Sequence, residues 1–239
     1  MQNLLKVVLT MGALSVLSSV IGGFIGGVIK VKSKDKIASL FQITAGIMTG
    51  IVCFDMLPES FEMANLATNI LGLFLGVILV YIIDVFSEND MKSKKYSSTT
   101  ISIMLSMSLH NIVEGLAIGN GFSHSINLGM TLLISIFLHD IPEGIVIGIT
   151  NKIDKLSLKR VILNSVFVGF STVIGGIISI FFSNINSFGV AFCLAFSAGA
   201  MLYIVACDLL PSSNKYSTKR HVSIMYICGI LIGEFITKI

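Results

Sequence analysis

Two copies of one short sequence phrase place histidine and glutamate side chains where they could bind a metal ion. The first copy starts at His110 and carries Glu114, and the second starts at His139 and carries Glu143. Because residues four apart share one face of a helix, each copy presents an imidazole beside a carboxylate. Both copies lie inside long apolar runs, where ionisable groups are costly and usually functional. These four side chains predict a site for a divalent cation.

The donor types indicate which metals would bind. Imidazole and carboxylate together suit borderline metals such as zinc, iron, manganese and cobalt. Asn111 and Asp140 each follow a histidine and are rotated by about 100° around the helix from it. They are placed to serve an adjoining second metal position that shares Glu114 and Glu143 as bridging ligands. Because the carboxylates repel one another until cations or protons neutralise them, we expect metal binding to depend on pH.

Glycines recur at a spacing of four residues in both phrases. They are Gly115 and Gly119 in the first copy, and Gly144 and Gly148 in the second. Small residues at this spacing let membrane helices approach one another closely. We therefore expect these glycines to bring the two site-bearing helices together.

The composition indicates that these helices lie in a lipid membrane. The chain has 239 residues, of which only 12% are charged, and its mean hydropathy is +0.92. Soluble domains carry about 25% charged residues. We predict one polytopic transmembrane domain over residues 1–239, with the lipid bilayer as its partner and no binding to nucleic acid. The four cysteines have neither disulfide-framework nor zinc-ribbon spacing.

Eight apolar segments, each near the roughly 20 residues that span a bilayer, predict an all-α fold with eight transmembrane helices. They are residues 5–29, 38–62, 65–86, 100–122, 127–150, 158–183, 187–210 and 221–238. Every lysine and arginine except Lys6 and Lys238 lies in or beside the odd-numbered loops. By the positive-inside rule those loops are cytoplasmic, so both termini lie outside the cell (inner or plasma) membrane.

An internal repeat relates the second and seventh segments. The stretch from Ala45 to Pro58 matches that from Ala198 to Pro211, and each ends in Asp-x-Leu-Pro. These two segments cross the membrane in opposite directions, as do segments four and five. The pattern predicts an inverted repeat of helices 1–3 and 6–8 around a central helix 4–5 pair, an arrangement common among transporters.

Further acidic residues extend from the predicted outer side to the inner side. Asp55 and Glu59 belong to the outer half of the second segment, and Asp208 follows Cys207 at the inner end of the seventh. We predict that these four residues line or gate a path for the cation.

Three motifs together resemble the ZIP (Zrt/Irt-like) metal transporters, most closely the bacterial GufA-like branch. They are His-Asn-x-x-Glu-Gly from His110, His-x-x-Pro-Glu-Gly from His139, and the paired Asp-x-Leu-Pro. The resemblance covers the whole chain. It implies eight helices with external termini, import of zinc or other divalent cations, dimers, and a binuclear site between helices four and five. Carried over, the first-site ligands are His110, Glu114, His139 and Glu143, and the second-site ligands are Asn111, Glu114, Asp140 and Glu143.

The chain departs from the GufA-like pattern in helix six and helix seven. Thr172 and Val173 stand where those relatives carry Glu-Pro, so the second site has one carboxylate fewer. Thr172 is therefore counted with the pathway residues. Cys207 with Asp208 stands where a His-Glu or Asp-Glu pair is usual, which removes one polar ligand from the inner exit.

The sequence thus predicts a secondary or facilitated transporter that brings divalent transition metals into the cytoplasm. Zinc is the expected substrate, with Fe²⁺, Mn²⁺, Co²⁺ and Cd²⁺ as further substrates, no separate cofactor and a possible homodimer. The alternative is a membrane-embedded zinc-dependent hydrolase, because an open His/Glu zinc site can activate water. Two symmetry-related motifs and the lack of His-Glu-x-x-His in the sequence favour the transporter.

Overall fold

The computed structural model describes residues 2–29, 33–90, 98–181 and 186–238, apart from the side chains of a few residues that include His124 and His139. Within these ranges the chain is helical and contains no strand. The α-helices are α1 (Gln2–Val28), α2 (Lys34–Ile51), α3 (Leu57–Met63), α4 (Leu66–Asp90), α5 (Ser98–His124), α6 (Ile126–Ile153), α7 (Leu158–Phe181), α8 (Ser187–Tyr203), α9 (Leu210–Tyr216) and α10 (Arg220–Ile236).

The all-α membrane fold predicted from the apolar segments is confirmed. Six helical spans of the described chain are long and apolar enough to cross a membrane: Leu5–Val28, Lys34–Met63, Leu66–Phe86, Gly129–Ile153, Leu158–Phe181 and Ser187–Tyr216. α5 and α10 occupy the fourth and eighth predicted segments and lie outside this set of six. The multi-pass character follows, whereas the exact number of eight crossings stays a prediction.

Two of these spans contain a π-helical turn that ends two residues before a proline. Val52–Met56 joins α2 to α3, and Ile204–Leu209 joins α8 to α9. The amide of Leu57 bonds to the carbonyl of Val52, and Leu210 bonds to Val205 in the same way. Proline removes a donor from the helical ladder, and the wider turn accommodates the misfit. Such turns frequently mark functional positions.

Polar caps fix where two of the spans begin. The Ser33 hydroxyl accepts a hydrogen bond from the Lys36 amide at the start of α2, and Asp35 lies in the first turn. The Asn186 side chain accepts one from the Gly189 amide before α8. These contacts satisfy amides that have no partner inside the helix.

The surface is apolar and much of the interior is polar, as expected for a bundle surrounded by lipid. Large hydrophobic side chains are exposed along the outer helix faces, among them Phe74, Phe86, Phe181, Leu231 and Phe235. Serine, threonine, asparagine and acidic side chains are buried between the helices.

Helix packing places α5 against α6, with further helices around this pair. α1 lies against α6 and α7, α7 lies against α5, and α8 lies against α4 and α5. α2 lies against α10 and α6. The two helices that carry the histidine phrases are therefore adjacent.

The glycines in the two phrases do not join α5 to α6, so that expectation was wrong. A Cβ built on Gly144 would collide with the backbone of Ser19 and Gly22 in α1. One built on Gly115 would collide with the backbone of Thr172 in α7. Gly115 and Gly144 each follow a glutamate by one residue, so they are turned about 100° away from the glutamate face, and Gly119 and Gly148 lie about one turn further along on the same side. The glycines consequently face the neighbouring helices α1 and α7.

Candidate metal-transport site

The structure brings one donor of each phrase into direct contact. His110 Nε2 in α5 lies 2.8 Å from Glu143 Oε1 in α6. Both residues are fully buried. Imidazole and carboxylate from two different helices therefore meet inside the bundle, at hydrogen-bonding distance.

The other described donors of the predicted set are equally buried. Asn111, Glu114 and Asp140 have no exposed surface. The Asn111 amide donates to the carbonyl of Val168 in α7 at 3.3 Å. Within the described part of the chain, Asn111 Oδ1 and Glu143 Oε2 are buried oxygens without a hydrogen-bond partner. Buried polar atoms are normally satisfied, so lone pairs of this kind suit a cation or an ordered water.

His139 lies in α6 one turn before Glu143, but its side chain is outside the described residues. The described side chains alone contain no group of three or more His, Cys, Asp or Glu that could hold a metal ion. The four-donor first site and the shared second site therefore remain predictions built around the His110–Glu143 contact.

Asp140 belongs to a hydrogen-bond network that the sequence reading missed. Ser15 and Ser18 of α1 both donate to Asp140 Oδ2, at 2.6 Å and 3.2 Å. Ser15 Oγ also lies 2.8 Å from Thr172 Oγ1 of α7. Thr172, a predicted pathway residue, therefore contacts the Ser15 hydroxyl, which in turn donates a hydrogen bond to the predicted metal ligand Asp140. The spacing of Ser15, Ser18 and Ser19 along one face of an apolar helix was the available signal.

The predicted gate residues lie at or beside the two π-helical turns. Asp55 is in the first turn and half-buried, and Glu59 is half-buried in α3 just beyond it. Asp208 is buried and Cys207 is exposed in the second turn. Asp84 of α4, which no sequence motif singled out, accepts a hydrogen bond from the Tyr203 hydroxyl at 3.0 Å.

Comparison with known proteins decides the family. A family model described as ZIP zinc transporter matches residues 85–237, which is more than half of the chain. The chain belongs to the ZIP family. The motif-based resemblance is thereby confirmed, and ZIP proteins are membrane transporters, so the hydrolase alternative is set aside.

The ZupT relatives are distant in sequence but extend over most of the chain, whereas the match to GufA covers little more than half of it. Zinc transporter ZupT of Streptococcus mutans is 29% identical over 244 residues, covering 92% of each protein. ZupT of Akkermansia muciniphila is 28% identical over 262 residues, covering 98% of this chain and 96% of its own length. Zinc transporter GufA of Myxococcus xanthus is 28% identical over 137 residues, which is 57% of this chain and 54% of that protein.

Proposed function

We propose that this ZIP protein imports divalent transition metals, zinc foremost, through a site formed between α5 and α6. The contact between buried His110 and buried Glu143 carries the proposal, because it supplies nitrogen and oxygen donors at one point inside a membrane bundle. The relatives are named zinc transporters, which favours zinc as the main substrate.

The complete ligand set would extend from this contact. His110, Glu114, His139 and Glu143 would form the first site, and Asn111 and Asp140 would join the two glutamates in the second. Oxygen and imidazole donors do not select zinc absolutely, so Fe²⁺, Mn²⁺, Co²⁺ and Cd²⁺ would compete for the same ligands. Since Thr172 replaces a carboxylate beside Asp140, we infer that the first site binds more tightly than the second.

A cation path through the membrane would use the residues of both π-helical turns. The ion would approach past Asp55 and Glu59, lose water, and bind between α5 and α6. It would then leave past Asp208 and Cys207 towards the cytoplasm. Carboxylates at successive depths offset the cost of moving a cation through a low-dielectric region.

The architecture we infer is a single domain with eight crossings, an inverted repeat and external termini, in the cell membrane. Reciprocal packing supports the repeat: α1 lies on α6 as α7 lies on α5, and α2 lies on α10 as α8 lies on α4. The matching π-helical turns before Pro58 and Pro211 support it as well. We further propose that two copies associate as a homodimer.

Substitution of Glu143 tests the site. Glu143→Gln keeps the size and hydrogen-bonding ability of the side chain but loses the charge that a cation requires. We expect zinc uptake into proteoliposomes to fall to background for Glu143→Gln and for Glu143→Ala. Glu234→Gln is the matched control, because Glu234 lies in the last turn of α10 and pairs with Lys238 just beyond that helix. Normal uptake by either Glu143 variant would refute the assignment.

A further inference from the structure

An apolar groove lies between α1 and α7, on the outer surface of the bundle. Its volume is about 510 Å³. Phe170 and Val173 line its α7 side, and Leu9, Leu17 and Phe170 are about half exposed at its edges. The groove therefore opens towards the lipid. Its α1 side is lined by Leu9, Gly12, Ala13, Val16, Leu17 and Val20.

Two small residues make the depression in the surface of α1. Gly12 has no side chain and Ala13 has only a methyl group, whereas Leu9 and Leu17 project on either side of them. A Cβ built on Gly12 would collide with the Val173 side chain, so Gly12 lets α7 approach α1 and form the floor of the groove. An unfilled groove forfeits dispersion contacts. Inside a bilayer, the apolar group available to fill it is a lipid acyl chain.

The length of the groove matches one leaflet of a bilayer. From Leu9 to Val20 it extends about 17 Å along α1, at 1.5 Å per residue. Half of a hydrocarbon core is about 15 Å thick. The membrane span of α1 starts at Leu5, so the groove occupies the half of the membrane nearest the N-terminal end of this helix. One acyl chain from that leaflet is long enough to fill it.

A lysine stands at the membrane-surface end of the same helix stripe. Lys6 is exposed and is the one charged residue in the sequence of α1. It precedes Leu9 by three residues and Ala13 by seven, so it shares their face of the helix. A lysine near the end of a membrane span extends its ammonium group to the headgroup level. Lys6 is therefore placed to pair with the phosphate of a lipid whose chain lies in the groove.

The groove lies directly outside the hydroxyl contact that reaches the predicted metal ligand Asp140. Gly169 of α7 lies against the backbone of Ser15 and Val16. Ser15 Oγ, on the inner side of α1, lies 2.8 Å from Thr172 Oγ1. An acyl chain in the groove would pack on both helices and support this contact from the lipid side.

We propose that the groove between α1 and α7 binds one phospholipid. An acyl chain packs against Gly12 and Ala13, and Lys6 holds the phosphate. Because the lysine supplies the only charge on this stripe, a lipid with net negative charge binds better than a neutral one. The binding needs only the membrane location of the chain, so it holds whichever metal is transported.

Native mass spectrometry of the purified protein, titrated with dioleoylphosphatidylglycerol, tests the groove. We expect the wild-type chain to bind one lipid more tightly than any further lipids. Ala13→Phe places a ring in the space of the acyl chain and should lower the affinity for that lipid by about ten-fold or more. Ala67→Phe is the matched control, because Ala67 is exposed on α4, away from the groove. It should bind lipid as the wild type does.

The same titration tests the headgroup contact. Lys6→Gln should lower the affinity about five-fold, the contribution of one lysine near an anionic lipid surface, and Lys6→Arg should restore it. Lys238→Gln is the control, because Lys238 is paired with Glu234. Since Lys6 is exposed, this arm stays decisive even where Ala13→Phe does not fold.

Three results would overturn the lipid site. One is wild-type lipid affinity in Ala13→Phe or in Lys6→Gln. Another is an equal loss of lipid in Ala67→Phe, which would mean that lipid binds without preference around the bundle. The third is a wild-type dimer that binds no lipid and separates in Ala13→Phe, since a second copy of the chain would then cover the groove.

Discussion

The contact between His110 and Glu143 makes each residue depend on the other. Both are fully buried, so removing one partner takes this hydrogen bond from the other, and breaking a buried pair costs about 3–5 kcal/mol where the remaining group is charged. A proton shared along the 2.8 Å contact can hold the pair together when no metal is bound. A divalent cation would replace that proton. Metal binding should therefore weaken as the pH falls and protons compete.

The hydroxyl of Ser15 provides a second test at the scale of single residues. It donates to Asp140 at 2.6 Å and contacts Thr172, so it fixes the direction of a predicted ligand. We expect Ser15→Ala to weaken zinc binding by about 10-fold or more, as is typical when a group that orients a metal ligand is removed. Calorimetric titration of purified protein measures the change.

Thr10→Ala is the control for Ser15→Ala. The Thr10 hydroxyl belongs to the same helix but donates to the carbonyl of Lys6 in its own backbone. That variant should bind zinc as the wild type does. Equal zinc affinity in Ser15→Ala would mean that Asp140 does not need the Ser15 hydroxyl in order to act, or does not bind metal.

The sequence predicted that His110 and Glu143 belong to one group of donors, but it did not predict the hydrogen bond from Ser15 to Asp140. A His and a Glu four residues apart must share a helix face, so duplicated phrases point to a shared site. The bond from Ser15 to Asp140 instead depends on which helices pack together, and residues 125 positions apart carry no local signal of that. For the same reason Asp84 was passed over, since its partner Tyr203 lies on another helix.

At the scale of helices, the length of the apolar runs predicted the element boundaries well, because the bilayer sets that length. Spacing did not reveal which helix each glycine contacts. Gly22 of α1 lies against the backbone of Ile141 and Gly144 in α6, where even a methyl group has no room. These contacts hold α1 against α6, which carries Asp140. The hydrogen bond from Ser15 of α1 to Asp140 requires this packing.

Gly22→Ala should therefore destabilise the protein. The added methyl would force two backbones apart, and overpacking of this kind costs about 1–3 kcal/mol. For a chain of this size that corresponds to a decrease of the melting temperature by about 2–4 °C per kcal/mol. The decrease can be measured by thermal unfolding in detergent. Ala13→Val, on an exposed position of the same helix, should leave the melting temperature nearly unchanged. Equal melting temperatures for both variants would contradict tight packing of α1 on α6.

At the scale of the whole molecule, several contacts gather basic residues at one end of the bundle. Lys152 Nζ at the end of α6 donates to the carbonyls of Gly27 and Ile29 at the end of α1, at 2.8 Å and 2.9 Å. Lys219, just before α10, pairs with Asp35 at the start of α2. Cations at helix C-termini are stabilised by the unsatisfied carbonyls there. By the positive-inside rule we expect this end to be cytoplasmic.

Accessibility labelling of intact cells tests this orientation. Epitope tags at the N-terminus and C-terminus should react with antibody without permeabilisation, because both termini are predicted to lie outside. A tag inserted after Lys155, between α6 and α7, should react only after the membrane is opened. Labelling of the inserted tag in intact cells would reverse the orientation. The direction assigned to the metal path would then reverse with it, because that direction follows from the end of the bundle that carries the basic residues.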